Sequence, residues 1–352
     1  MKELTVGHGT FGIGEVKVMK PVIFQIIAII IILLPGCGLE EEVIYDELPA
    51  LSWPTVTIFK DNIFVHCGYH TEYGGVVDYG GIYSSKNGKD WTLIKDKPEF
   101  PPRVMDGIVE YNGKLWITGG ELSDDPTPAY EYEDDVWSSS NGKDWTCVTE
   151  HAPFGKRAYH SLIVFNGAMW VIGGMVNKIA AATTACSSTD GETWQCYNSN
   201  LESGHPRCVV YDGRIYISSG SGLFVSDNAV TWETITLDTL VPHRTGHAFL
   251  VYNSKFWVMG GREAYGSVPQ RLYDVWNTTM DVLENWSRVS MDSLYGMGCP
   301  YNSSFPAYNA IVYKDKIWNI VGGYYKWSVD DQEHYYVLYN RYTTDGINWL
   351  AP

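Results

Sequence analysis

The chain has 352 residues, of which 45% are hydrophobic and 14% aromatic, with 35 Gly, 14 Trp and 25 Tyr. That composition excludes a disordered or collagen-like chain and leaves ample length for a packed core. The 41 acidic residues outnumber the 25 basic ones and give a net charge of −16, which repels a phosphate backbone, so nucleic acid is not an expected partner.

The first pattern along the chain is an apolar run from Val22 to Leu34, thirteen residues with Gln25 inside it, too short to cross a bilayer as a helix. It fits the core of a signal peptide. Met19-Lys20 supplies a start and a positive charge just ahead of it, whereas residues 1 to 18 are Gly-rich and mixed in charge, so translation is expected to begin at Met19. The run closes with Leu34-Pro35-Gly36-Cys37, which resembles the lipobox of bacterial lipoproteins, Pro35 departing from the usual small residue. The resemblance implies cleavage after Gly36 and lipidation of Cys37. With Gly38 rather than Asp following, it also implies a lipid-anchored place in the bacterial cell envelope, at the outer membrane. An ordinary secretory signal followed by a chance Cys is the alternative. The expected division is a signal peptide over 1–36, a lipidated Cys and short linker over 37–50, and a folded domain over 51–352. Loss of residues 1–36 leaves 22 basic and 39 acidic residues, a net charge of −17.

Beyond residue 50 the chain repeats itself. An aromatic-hydrophobic strand ending in Gly recurs as IFVHCG, LWITGG, MWVIGG, IYISSG, FWVMGG and IWNIVGG. Its aromatic residues Phe64, Trp116, Trp170, Tyr216, Trp257 and Trp318 are spaced by 52, 54, 46, 41 and 61 residues. Each is preceded by a second apolar strand and a two-residue turn such as Asn112-Gly113, Asn166-Gly167 or Asp212-Gly213, residues that suit the positive φ angles of tight hairpins. A second signature follows at variable distance: SKNGKDW, SSNGKDW, STDGETW, SDNAVTW, a degenerate TMDVLENW over 279–286, and TTDGINW. This reads as a strand, an Asx/Gly turn and a Trp-bearing strand. Four strands therefore repeat six times, with no helix-period segment between them.

The pattern resembles Kelch repeats, with Arg157-Ala158-Tyr159-His160 or Arg244-Thr245-Gly246-His247, then the apolar hairpin, the Gly pair and a spaced Trp. The resemblance implies an all-β fold, a six-bladed β-propeller of four-stranded Kelch-type blades, in which the Gly pairs allow close backbone packing. The S-x-[DN]-G-x-x-W turns also look like the Asp boxes of sialidases, which are structural in their families. Blades four and five depart most from the pattern. Ring closure is open: each blade is complete on its own, or Val43 to Tyr45 adds a strand at the seam.

Six cysteines follow Cys37, with no CxxC or Cys/His spacing of a zinc site. Cys186 and Cys196 flank a predicted hairpin turn and are disulfide candidates, two buried thiols being the alternative. The Asn277 and Asn302 sequons are read as coincidence in a bacterial host.

Strand alternation puts the first-to-second and third-to-fourth turns of every blade on one face of the disc, where they are trimmed short. The second-to-third connections, on the other face, are expected to be long loops: Tyr69 to Gly80, Glu121 to Asp134, Met175 to Ala182, Arg262 to Leu272 and Tyr324 to Tyr335. Loops on a rigid scaffold are where binding groups usually sit. Their acidic and aromatic content suits carbohydrate hydroxyls and ring faces, or a protein partner, against the plainer reading of a solvated acidic rim. The ligand-binding candidates are Tyr73, Glu121, Tyr130, Tyr132, Arg157, Tyr159, Arg244, Tyr265, Tyr325 and Trp327. Residues entering the first strands, Arg103, Arg157, Tyr159, His160, Arg207, Arg244, His247, Tyr308 and Asn309, are expected to point toward the axis on the same face, where Arg could receive a carboxylate. Because Arg recurs at equivalent places in four units, the reading favoured over this is that the recurring Arg and His brace the packing between blades. Asp124 and Asp125 cluster hard oxygen ligands without the spacing of a calcium loop, so neither metal nor cofactor is expected.

Two functions follow. One is a monomeric, membrane-anchored binding module for a glycan or an envelope protein. The other is a sugar-active enzyme: Kelch-type bacterial propellers include sialic acid mutarotases, which use a Glu and an Arg after a Gly-Gly strand, and Glu263 and Arg271 stand in loosely similar positions. No arginine triad of a sialidase, and no copper-ligand set of a galactose oxidase, can be placed.

Overall fold

The computed structural model describes residues 44–352 apart from 46–47, 49–50, 53, 67–68, 73–74, 80, 123–130, 177–179, 202, 238–240, 242, 264–270, 291–308, 321–322, 329–332 and 339. The signal-like segment, Cys37, Cys67 and Cys299 lie outside the described residues, as do Asp124 and Asp125.

Six antiparallel sheets follow one another along the chain, each with its first strand innermost. Blade two is typical: Gly107–Tyr111, Lys114–Leu122, Tyr132–Ser139 and Thr146–Thr149 pair in that order. Blades one, three, four and five begin at Thr55, Ser161, Arg207 and Ala248 with the same order, and the sheet of blade six joins Ala310–Tyr313, Lys316–Asn319 and Arg341–Thr343. A bridge between Tyr342 and Leu350 brings the last residues alongside as its outer edge. The chain is thus an all-β, six-bladed propeller. Blades four and five, the least regular in sequence, build ordinary four-stranded sheets.

The local chemistry of the turns accounts for one flat face. All six first-to-second turns have two residues, and their leading residues Lys60, Asn112, Asn166, Asp212, Asn253 and Lys314 sit at φ between 47° and 50°. That is the left-handed twist a two-residue hairpin needs. In the Asx/Gly turns the strand-ending hydroxyl and the Asx side chain accept the exposed amides: Ser139 Oγ takes Gly142 N at 2.8 Å and Asn141 Oδ1 takes Asp144 N at 2.9 Å. Trp145 Nε1 closes the turn on the Gly142 carbonyl at 3.2 Å. The irregular turn of blade five keeps this last bond, Trp286 Nε1 donating to Leu283 O at 3.0 Å.

These turn glycines also seat one blade on the next. A Cβ built on Gly142 would lie 2.2 Å from the Phe64 ring of blade one, and one on Gly191 would lie 2.2 Å from Trp116 of blade two. Gly88 and Gly346 meet Trp318 and Trp257 in the same way. A comparison isolates this packing: Gly191 and Gly167 both hold φ near +75°, but a Cβ on Gly167 meets nothing within 4 Å. Gly167→Ala is expected to lose about 1 kcal/mol from backbone strain alone, and Gly191→Ala about 2–3 kcal/mol because overpacking adds to it. Equal denaturant midpoints for the two variants would contradict the account.

The ring closes by side-chain packing. Gly88 of blade one receives Trp318 of blade six, and Leu48, Val65, Trp91, Tyr313 and Ile320 share the core at that seam. Tyr313 donates its hydroxyl to Asp61 O at 2.7 Å, repeating the bonds of Tyr111 to Gly167 O and Tyr252 to Asp315 O at ordinary blade junctions. The extra strand also exists: Ile44–Tyr45 pairs with Trp91–Lys95 as a fifth, outermost strand of blade one. Closure therefore shares no strand between blades, and the added strand covers an edge instead.

Cys186 and Cys196 stand directly opposite across the third and fourth strands of blade three, Cα atoms 4.0 Å apart, and are disulfide-bonded. Cys147 and Cys208 are free thiols.

Candidate functional site

The opposite face differs from the sequence-based expectation of long loops. The second-to-third connections of blades one, two, three and six are largely β-hairpins: Tyr69–Glu72 with Gly75–Tyr79, the far halves of Lys114–Leu122 and Tyr132–Ser139, Met175–Val176 with Ala180–Ala181, and Gly323–Ser328 with Glu333–Leu338. Segments entering first strands pair onto these connections, as Arg103–Val104 does on Glu121–Leu122 and, in blade five, Arg244–Thr245 does on Arg262–Glu263. The blades thus carry a second storey, a crown of hairpins around the axial mouth. Alternating aromatic and polar residues such as GYYKWS satisfy a strand as well as a loop, and only the pairing partner decides. Blade four has no such hairpin, because Arg214–Ser219 turns straight into Gly222–Ser226.

The recurring Arg and His do structural work. Arg103 Nη1 donates to Gly119 O at 2.9 Å, and its two Nη atoms grip Asp135 at 2.5 and 2.8 Å. Arg244 repeats this with Gly260 O and Asp274. Arg157 donates to Gly173 O at 3.0 Å, but Thr184 stands where the others have Asp, so its remaining bonds go to Thr184 Oγ1 and the Phe154 carbonyl. Burial without a carboxylate lowers its pKa to about 10. Each guanidinium thus holds the first Gly of a Gly pair, and the second Gly lies against the residue three after the Arg: Gly120 on Asp106, Gly174 on His160, Gly261 on His247.

Those three residues reach back to the preceding blade. His160 Nε2 meets Thr118 Oγ1 at 2.8 Å and His247 Nε2 meets Ser218 Oγ at 2.8 Å. Asp106 Oδ2 stands 2.9 Å from His66 Nε2, an ion pair by distance rather than an aligned hydrogen bond, and Asp106 Oδ1 accepts from Thr55 at 3.0 Å. Burial alone would raise the Asp106 pKa, but His66, Arg103 and Thr55 outweigh it and hold the carboxyl below its usual range. Burial, with neighbouring arginines, pushes His160 down to about 3 and His247 well below its ordinary value. These are neutral braces. The bracing reading of these residues thus describes the guanidinium groups of Arg103, Arg157 and Arg244 and the Nε2 atoms of His160 and His247, which are engaged within and between blades, and this runs against Arg157 and Arg244 as ligand-binding residues.

Glu121, Tyr132 and Tyr159 are brought together. Glu121 and Tyr132 are cross-strand partners in blade two, and the Tyr159 hydroxyl donates to Glu121 Oε2 at 3.3 Å from blade three. Tyr132 is itself buried, its hydroxyl pushed up to about 12 by burial and the Glu121 charge, so it supports the group rather than offering a surface. His205 of blade four completes the line, its ring centroid 4.5 Å from that of Tyr159. Sequence reasoning missed His205 because Ser203-Gly204-His205-Pro206 lacks the Arg that marks the equivalent segments. Burial and Arg207 lower its pKa to about 4, which keeps the imidazole neutral.

Glu263 and Arg271 flank residues 264–270, which lie outside the described residues. Arg271 bridges Arg262 rather than Glu263. Tyr325 and Trp327 occupy alternate positions of the blade-six hairpin, opposite Tyr336 and His334. Tyr73, Tyr130 and Tyr265 lie outside the described residues. Among the described residues no three His, Cys, Asp or Glu converge on a metal-sized site.

A closed ring of six blades, with turns clipped on one face and hairpins raised on the other, defines a Kelch-like β-propeller. The chain belongs to the family described as the DUF6242 beta propeller domain, whose model matches residues 103–351. It is also 25% identical to alpha-scruin of Limulus polyphemus over 241 residues, which is 60% of this chain and 25% of that protein. The chain thus spans about a quarter of the length of that curated relative. The solved structure of YjhT superposes with a TM-score of 0.61 at 14% identity, covering 84% of this chain and 96% of the other, which is a likeness of fold.

Proposed function

We propose that the protein is a non-catalytic binding module of the bacterial cell envelope, held at the outer membrane through a lipidated Cys37, that captures a glycan or an envelope protein with its crown face. The observation that carries this reading is the asymmetry of the disc. One face carries two-residue turns and short Asx/Gly turns, while the other carries hairpins in four blades and brings Glu121, Tyr159 and His205 together. Aromatic rings beside a carboxylate, on a scaffold that moves little, are the composition of recognition surfaces. A sugar-active envelope enzyme stands second, since Arg271 bridges Arg262 rather than Glu263.

The test is capture by the soluble chain beginning at Leu39, on a glycan array and in pull-downs from envelope extract. Replacing residues 123–130 by a two-residue turn leaves the strands Lys114–Leu122 and Tyr132–Ser139 intact. That variant is expected to keep its melting temperature within about 2 °C and to lose capture. Unchanged capture would move the binding surface elsewhere.

A further inference from the structure

The third position of the Arg-x-x-[Asp/His] segment requires a left-handed backbone. Blade five places Gly246 there at φ +61°, but blades two and three hold Met105 at +56° and Tyr159 at +63°. Large residues rarely adopt this region, and strain of this kind gathers at functional sites. The two strained residues are adjacent and joined, Tyr159 N donating to Met105 O at 2.8 Å. Met105 is buried with Val104, Tyr132 and Ala158, so its side chain is used in packing. Tyr159 remains half-exposed, with its hydroxyl on Glu121 and its ring against His205. Glycine serves the backbone geometry in blade five, so the backbone does not explain Tyr in blade three, where the ring also packs against the cluster around Met105.

We propose that Glu121, Tyr159 and His205, contributed by three consecutive blades, form a subsite for an uncharged, hydroxylated sugar ring, and that Tyr159 is held in a strained conformation for that contact. The inference rests on the crown-face reading and narrows it to a sugar, and to a neutral one. The phenol ring offers a face for the C–H side of a pyranose. Glu121 accepts from ring hydroxyls, and the imidazole of His205 supplies one donor and one acceptor. An acidic sugar is disfavoured: the Glu121 carboxylate faces it, the guanidinium groups of Arg103 and Arg157 are turned into their blades, and the chain as a whole carries −16.

The experiment uses the soluble chain from Leu39 on an array of immobilised hexosides, N-acetylhexosaminides, uronosides and sialosides, with melting curves for every variant. The parent is expected to bind neutral or N-acetylated rings. Tyr159→Phe and Glu121→Gln preserve shape and are expected to weaken binding about tenfold or more, as the loss of a charge-assisted hydrogen bond does. Tyr159→Gly is expected to abolish binding while melting no lower than the parent, because relief of backbone strain offsets the lost contacts. A preference for uronosides or sialosides, binding indifferent to Tyr159→Phe and Glu121→Gln, or a Tyr159→Gly melting point lower by about 5 °C or more, an effect of well over 1 kcal/mol, would overturn the subsite. Binding lost on trimming residues 123–130 but untouched by Tyr159→Phe overturns the subsite and leaves the crown-face reading standing. Capture of an envelope protein with no glycan bound overturns the sugar and spares the face, whereas no capture of either kind removes both.

Discussion

Between pH 7 and pH 4.5 the urea midpoint of the soluble chain should fall steeply. His160 and His247 are buried and His205 is partly so, and burial lowers their pKa values to about 3, well below 6.5 and about 4 respectively. In the unfolded chain each takes up a proton near pH 6.5, while the folded protein refuses it, so the unfolded state binds more protons and gains on the folded one as pH falls. The stability is intact above about pH 6.5 and is lost progressively below it. Each histidine contributes at most about 1.4 kcal/mol per pH unit, so the three together approach 4 kcal/mol per unit near pH 5. Against a total of about 5–15 kcal/mol, that is a large share of the stability of the propeller. His247→Gln removes one titrating group, and although it weakens the fold at neutral pH it should flatten the slope by about a third. A midpoint that stays level from pH 7 to pH 5 would show that these rings are not neutral braces. Arg157, Arg207 and Arg244 lie near these histidines and push their pKa values down.

Asp135→Ala should be the most damaging single substitution in blade two, at about 3–5 kcal/mol. The Arg103 side chain is fully buried, and Asp135 neutralises it through two hydrogen bonds while also accepting from Trp137 Nε1 at 2.7 Å. Truncation leaves a buried cation and a part-buried indole N–H without this acceptor. The double variant Arg103→Met with Asp135→Leu should recover most of the loss, since two apolar side chains of similar volume need no partner. Chemical denaturation of the three proteins checks this. A loss below about 1 kcal/mol for Asp135→Ala would mean that other acceptors compensate the guanidinium, as Thr184 Oγ1 and the Phe154 carbonyl do for Arg157 in blade three. The same result bears on function, because a guanidinium locked at this strength is not available to a ligand at the mouth.

Features of this protein set by neighbouring residues were legible in the sequence. Asn166-Gly167 and its counterparts specify tight hairpins through their own φ preferences, and Ser188, Asp190, Gly191 and Trp194 close their turn within seven residues. The ten-residue separation of Cys186 from Cys196 follows from that same hairpin. Six such units fixed the fold class, since a strand pattern repeated at 41–61 residues has few other ways to bury its apolar faces. What the sequence could not assign are contacts between residues distant in the chain. Arg103 meets Asp135 from 32 positions away, and Tyr159 meets Glu121 from 38 positions away. A one-residue change of register would send either partner to the opposite face of its sheet. The crown hairpins, the closure of blade six on blade one and the bridge of Arg271 to Arg262 rather than Glu263 likewise depend on which strand lies alongside. Local turn chemistry is encoded in a few adjacent side chains, whereas the division of Arg, His and Tyr between braces and binding surface was decided only when six blades packed into a ring.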